Sequence, residues 1–319
     1  MASSRTRSDL PALVEQAVAG EARAIGRLIS LVEDDAPALS EVTRLLAGRP
    51  DQVHVVGLTG APGVGKSTAT SALIAQLRHR HERVAVLAVD PSSPFTGGAL
   101  LGDRIRMSQH ADDPGVFVRS MASRGQLGGL AAAVPPAIRV LAAAGCSLVL
   151  LETVGVGQSE IDVVRSADTT VVLLAPGLGD GVQAAKAGIL EIADIFVVNK
   201  ADRPEAGEVS RALRAVQSMA PAGSGWTAPI LPTVATEGRG FGELAVAIAD
   251  HQRFLAESGE GQRRRAARTR HQLEALVLGR WQQALSGSAQ LERLTERVLA
   301  GELDAYAAAD QLLAPAAEA

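Results

Sequence analysis

A single cysteine, Cys146, stands in 319 residues, which excludes an intramolecular disulfide framework and any cysteine-rich metal site. Its setting, "CSLVLLE", reads as that of a buried, inert thiol. Aromatic residues make up only 3% of the chain. Ala, Val and Leu must therefore build the core through helix and strand packing, without many large anchors. No apolar run reaches the length of a membrane span, and the opening "MASSRTRSDL" lacks the apolar stretch of a secretory leader. The expectation is a cytoplasmic protein with no membrane partner. Positive charge is not in excess either, since 31 Lys and Arg against 35 Asp and Glu leave a formal charge of −4. That balance gives no general attraction to nucleic acid. Lysine itself is scarce: only Lys66, Lys186 and Lys200 are lysines, so a position that keeps Lys where Arg is the habit is informative.

What is present is 47% hydrophobic residues, arranged in two periodicities. From Asp9 to about Gly48 the apolar residues fall at helical spacing, as in Ile25, Leu28, Ile29 and Val32. From Val53 the pattern changes to compact apolar runs, "VHVVGL", "VAVLAVD", "CSLVLLE", "TVVLLAP", "IFVVNK" and "ILPTVAT", each ending near a polar residue or glycine. These predict buried parallel strands, and intervening segments such as "STATSALIAQLRHR" and "EVSRALRAVQSMA" predict helices on both faces. Beyond residue 256, "GQRRRAARTRHQLEALVLGRWQQAL" and "LERLTERVLAGELDAYAAADQLL" predict two amphipathic helices whose Leu and Trp stripes need a packing partner. The arginines at 263, 264, 265, 268 and 270 could contact a phosphate-rich partner, but the acidic total favours a solvated helix face. The organisation expected is a helical extension over 1–50, an α/β nucleotide-binding domain over 51–256 and a helical arm over 257–319.

The segment "GAPGVGKST", from Gly60 to Thr68, follows a predicted strand and opens a predicted helix, the context a Walker A loop requires. The fold expected is therefore a P-loop NTPase with a mostly parallel sheet. Gly60, Ala61, Pro62, Gly63, Val64 and Gly65 would let backbone N–H groups curl round phosphate oxygens at a helix N-terminus. Lys66 would neutralise the β- and γ-phosphates, Ser67 would ligate Mg²⁺, and Thr68 completes the motif. The second element is "NKAD", Asn199 to Asp202, at the end of the run "IFVVNK", where open α/β sheets bind ligands. An Asp202 carboxylate can accept both the N1–H and the exocyclic amine of guanine, whereas adenine presents an acceptor at N1. Asn199 would order that loop and the stem of Lys200 would lie along the base, so the cofactor expected is GTP/GDP. Between the two motifs, Asp90 and Glu152 each end an apolar strand and Asp103 lies in a Gly-rich segment, all three suited to Mg²⁺ directly or through water. Glu152 begins "ETVG", a form in which the Gly155 N–H would contact the γ-phosphate.

Together "GAPGVGKST", "VDPSSPFTGGALLGDR", "SRGQLGGL", "ETVGVGQSE", "PGLGDGVQAAKAGILEIAD" and "NKAD" closely resemble the MeaB/ArgK family, the methylmalonyl-CoA mutase-associated GTPases. The resemblance covers the central segment, and the flanking helical segments fit it. It implies a GTPase that assists loading, protection and reactivation of an adenosylcobalamin-dependent acyl-CoA mutase. It also implies a homodimer held partly by the C-terminal helices, and Mg²⁺ ligation around Ser67, Asp90, Asp103 and Glu152. The catalytic residues it leaves as candidates are Lys66, with Asp90, Gln158 and Lys186 for directing water attack. No "DxHxxG" cobalamin-binding sequence is evident, so any cobalamin would belong to the partner. Two other readings are a GTPase metallochaperone and a kinase linked to amino-acid transport. The first needs soft or imidazole ligands, while Cys146 is alone and His79 and His81 end a helix at solvent. For the second, no phosphoacceptor-activating motif is found.

Overall fold

The computed structural model describes residues 9–34, 36–49, 52–91, 108–110, 112–123, 129–153, 166–177, 192–219 and 225–313. Seven strands form one sheet: β1 (His54–Thr59), β2 (Val84–Pro91), β3 (Val116–Ser123), β4 (Leu148–Thr153), β5 (Thr169–Leu174), β6 (Ile195–Val198) and β7 (Ile230–Pro232). Their order is β3-β2-β4-β1-β5-β6-β7, and every pairing is parallel. The central β1 pairs with β4 on one side and β5 on the other. Chain order reverses there, so the loop leaving β1 emerges at the crevice where such sheets bind ligands.

Both faces of the sheet are covered, which is why its strands are near-continuous apolar runs. On one face Val56, Leu58, Leu148, Leu150, Val171, Leu173, Ile195 and Val197 pack with α4 (Lys66–Leu77) and α7 (Phe241–Glu257). On the other, Val55, Ala85, Leu87, Val149 and Leu151 pack with α5 (Gly129–Ala143). They also meet the N-terminal helices α1 (Leu10–Val18), α2 (Ala22–Asp34) and α3 (Ala36–Leu45). The expected N-terminal helices are thus present and share the core of the sheet: Leu28 and Ile29 are fully buried. Further along that face, Val172, Leu174, Phe196 and Val198 pack against α6 (Ala206–Met219). Cys146 is buried, and burial pushes its thiol up to about 11, so the inert reading stands.

Two elements carry no clear signal in the sequence. The edge strand β3 is half-buried and interrupted by Arg119 and Ser120, so it lacks the apolar run of its neighbours. Within α5 the pair Pro135–Pro136 lies inside the helix and breaks the helical pattern. The chain divides into two compact units, Met1–Arg270 and His271–Ala319. A long helix, α8 (Glu260–Leu285), is followed by α9 (Ala289–Leu299) and α10 (Ala305–Leu313). The second expected amphipathic helix is thus two helices. They part around Gly301, whose φ of 74° is left-handed, and Asp304 caps α10 through the Tyr306 and Ala307 N–H groups.

The arginine run needs a correction. Arg264 and Arg268, one turn apart on α8, are held at the N-terminal ends of the strands. Arg264 makes two bonds of 2.9 Å to the Asp194 carboxylate, and Arg268 reaches Asp168 at 2.5 Å. Asp168 and Asp194 are both buried and also accept the backbone N–H groups of Val55 and Thr170. Charge pairing with buried carboxylates, and not solvation, is therefore the role of these two positions. Burial opposes the charge on Asp194, but the bonds from His251 and Arg264 prevail and hold its pKa below the usual carboxylate value.

A buried polar chain continues inward. His251 Nε2 lies 3.3 Å from Asp194 Oδ1, His251 Nδ1 is 2.7 Å from Thr169 Oγ1, and Thr169 Oγ1 is 2.8 Å from His54 Nε2. Thr169 Oγ1 thus bridges the two imidazole rings. Trp226 lies against His251, ring centroids 4.7 Å apart, and its Nε1 donates to the Asp194 carbonyl at 2.8 Å. Burial, the dominant cause, lowers the pKa of His54 to about 4 from an ordinary 6.5. Between those values the unfolded chain binds a proton that the folded chain refuses, so stability is fully present above pH 6.5 and is lost as pH falls toward 4. His54→Gln keeps a hydrogen-bonding partner for Thr169 without a titrating group, and should flatten that limb of a urea-midpoint-versus-pH curve. An unchanged slope would place the acid sensitivity elsewhere.

Candidate nucleotide site

The loop between β1 and α4 has the backbone that its glycines permit. Gly60, Gly63 and Gly65 have φ of 149°, 81° and 95°, in the region that L side chains rarely adopt. At Gly60 space is decisive as well, since a Cβ there would stand 2.3 Å from the carbonyl oxygen of Leu173. Gly65 is the N-cap of α4 and supplies no side-chain cap. The first-turn N–H groups therefore lack that usual acceptor and carry the positive end of the helix dipole, as an anion site needs. The Lys66 ammonium folds back over the loop, donating to the carbonyls of Gly60 at 2.5 Å and Ala61 at 3.2 Å. Lys66 and Ser67 are both 7% exposed, so a phosphate bound there would meet a largely desolvated cation.

The second loop is tied to the first. Asn199 is 2% exposed; its amide nitrogen donates to the Val64 carbonyl at 2.8 Å, inside the phosphate loop. Its carbonyl oxygen accepts from Thr233 Oγ1 at 3.2 Å and from the Ala235 N–H at 3.1 Å, beyond the end of β7. One side chain thereby fastens three loops at the ends of β1, β6 and β7. Close approach is again needed, because a Cβ on Gly65 would lie 2.7 Å from Asn199 Nδ2. Lys200 has a left-handed φ of 57° and its ammonium donates to the Gly63 carbonyl at 2.7 Å, so its stem spans the gap between the loops. Asp202 is exposed in the turn that follows. Thr233, fully buried, was not evident from the sequence. Its signal is its place immediately after a short strand, beside the residue that orders the base loop.

Glu152 stands near the end of β4, level with Leu58 of β1 and Ala88 of β2. It is 3% exposed and accepts from Ser67 Oγ at 2.7 Å and from Thr70 Oγ1 at 2.7 Å. Asp90 lies two residues past Ala88 at the same end of β2. Ser67 and Glu152, a hydroxyl and a carboxylate from adjoining elements, are donors that could serve a hard cation. Asp103, Gly155, Gln158 and Lys186 lie outside the described residues. The structure thus brings together the Walker A loop, Glu152, the backbone of Asp90 and the "NKAD" turn at one edge of the sheet.

The family model for the methylmalonyl-CoA mutase-associated GTPase MeaB matches residues 25–290. The chain belongs to this family. A Pyrococcus horikoshii protein assigned as a GTPase is 46% identical over 306 residues, covering 94% of this chain and 96% of its own. The mitochondrial methylmalonic aciduria type A homolog of Caenorhabditis elegans is 32% identical over 272 residues, 79% of this chain and 68% of its own. Among solved structures, that of a LAO/AO transport system kinase aligns with a TM-score of 0.70 and 26% identity over 96% of this chain and 97% of its own. A MeaB-family GTPase with a P-loop fold binds GTP and GDP, and the fastened loops at β1, β6 and β7 are where this member would hold them. Among the described residues no helix is long and apolar enough to cross a membrane.

Proposed function

We propose that this protein is a Mg²⁺-dependent GTPase that serves as an accessory chaperone of an adenosylcobalamin-dependent acyl-CoA mutase, methylmalonyl-CoA mutase foremost. Membership of the MeaB family over residues 25–290 carries the reading, and the name of the C. elegans relative supports its link to methylmalonyl metabolism. In it, Ser67, Asp90, Asp103 and Glu152 hold Mg²⁺, which would neutralise charge on the transferred phosphoryl oxygens. Lys66 and the loop amides bind the phosphates. Asp90, Gln158 and Lys186 are the groups proposed to direct water. Nucleotide state would reach the mutase through segments that the γ-phosphate orders and hydrolysis releases.

The protein is proposed to act in the cytoplasm as a homodimer assembled through its C-terminal arm. Leu273, Val277, Leu278, Leu299, Tyr306 and Leu313 of that unit are exposed by more than half, an apolar surface suited to a second copy. The test is single-turnover GTP hydrolysis with and without a purified mutase carrying adenosylcobalamin. The expected result is Mg²⁺-dependent turnover that the mutase accelerates by about tenfold or more, a differential stabilisation of about 1.4 kcal/mol. Equal rates, with no complex on size-exclusion chromatography in either nucleotide state, would remove the mutase from the reading and leave a GTPase with another partner.

A further inference from the structure

Thr70 lies outside the phosphate-loop motif and no role in nucleotide chemistry follows from that motif, yet it touches the carboxylate at the centre of the site. It is fully buried. Ser67 and Thr70, three residues apart, share one face of α4, and the two hydroxyls divide the Glu152 carboxylate between them. Ser67 takes Oε1 and Thr70 takes Oε2, each at 2.7 Å. Thr70 Oγ1 also lies 3.0 Å from the Lys66 carbonyl, but a hydroxyl has one proton. The contact to Glu152 is the shorter of the two, so the proton goes to Glu152.

This division has a consequence for the cation. With its one proton committed to Oε1, Ser67 can offer only oxygen lone pairs to anything else that approaches it, the orientation a Mg²⁺ ligand needs. That orientation lasts only while the carboxylate is kept from rotating about its terminal torsion, which is broad and soft. A second donor at Oε2 removes that freedom. The geometry points to Thr70 as a positioning residue for the magnesium site: its hydroxyl fixes Glu152, and Glu152 in turn fixes the direction in which Ser67 presents its lone pairs. Thr70 thereby acts through Glu152 and is not itself proposed as a ligand.

The inference rests on the GTP and Mg²⁺ reading above, and its test separates the two. Affinity for a fluorescent GDP analogue is titrated against Mg²⁺ for the wild type, Thr70→Val, which keeps the shape and removes the hydroxyl, and Thr70→Ser, which restores it. Thr70→Val should raise the Mg²⁺ concentration at half-maximal tightening by about tenfold, the worth of one hydrogen bond to a charged group. Thr70→Ser should return it to within about twofold. Melting temperatures are read alongside, because a purely structural role would lower stability and scale affinity equally with and without Mg²⁺. Equal midpoints in all three proteins, or a Thr70→Val midpoint that Thr70→Ser fails to restore, would overturn the role of Thr70 and leave the GTPase reading intact. A wild type whose GDP affinity ignores Mg²⁺ would overturn both.

Discussion

Asp194→Ala is expected to cost about 3 kcal/mol of folding free energy, one of the largest single-residue losses in the chain. Breaking a buried ion pair by removing one partner costs about 3–5 kcal/mol, because the other charge stays behind uncompensated. The lower end applies here, since the Arg264 side chain is 30% exposed and can recover some hydration. Both Arg264 bonds go, and two further groups lose a partner with it: the Thr170 N–H and the His251 ring. The double variant Asp194→Ala/Arg264→Ala should lose clearly less than the sum of the two single changes, because it leaves no orphaned charge in the pair. Equilibrium urea unfolding measures all three. A cost below about 0.5 kcal/mol for Asp194→Ala, in the range of ordinary surface substitutions, would mean that the pair behaves as a solvated one.

Guanine selectivity is the second large effect expected. Asp202→Asn exchanges a carboxylate proposed to accept two guanine hydrogens for an amide that would oppose one donor with another. The loss is about 1.5–3 kcal/mol, or roughly ten- to over a hundredfold in GTP affinity, with a compensating gain for xanthine nucleotide. Asp202 is exposed in its turn, so the change should leave folding stability within about 0.5 kcal/mol. Calorimetric titration with GTP and XTP reads the switch directly. Unchanged GTP affinity would take Asp202 out of base recognition and leave Asn199 and Lys200 as loop fasteners only. Asn199 is not a substitute test, since losing it would also release Val64, Thr233 and Ala235.

How much of this was legible beforehand varied with the length scale of the interaction. The six apolar runs read from the sequence are strands: five are buried and so must be apolar at nearly every position, while the sixth, β7, is short and partly exposed. The half-exposed β3 escaped for the same reason. The Walker A segment was legible because three glycines and a Lys–Ser pair are local requirements of backbone conformation and phosphate chemistry. The arginine run misled because Arg264 and Arg268 are paired with carboxylates 70 and 100 residues away in the chain. Their side chains look alike in a sequence whether they face water or an aspartate.

The sequence by itself determined that the protein is an α/β P-loop nucleotide binder of the MeaB family, and which short segments are proposed to meet the phosphates and the base. Periodicity and local motif chemistry act between residues that are neighbours along the chain, so they survive in one dimension. Only the tertiary structure decided that Asn199 fastens three loops, that Thr70 shares Glu152 with Ser67, and that α8 is pinned to the strand ends by two buried carboxylates. Each of these joins elements far apart in sequence, and the first needs a space where a Cβ at Gly65 would collide. Contacts of that kind arise from how the sheet is ordered about β1, and no property of the individual residues announces them.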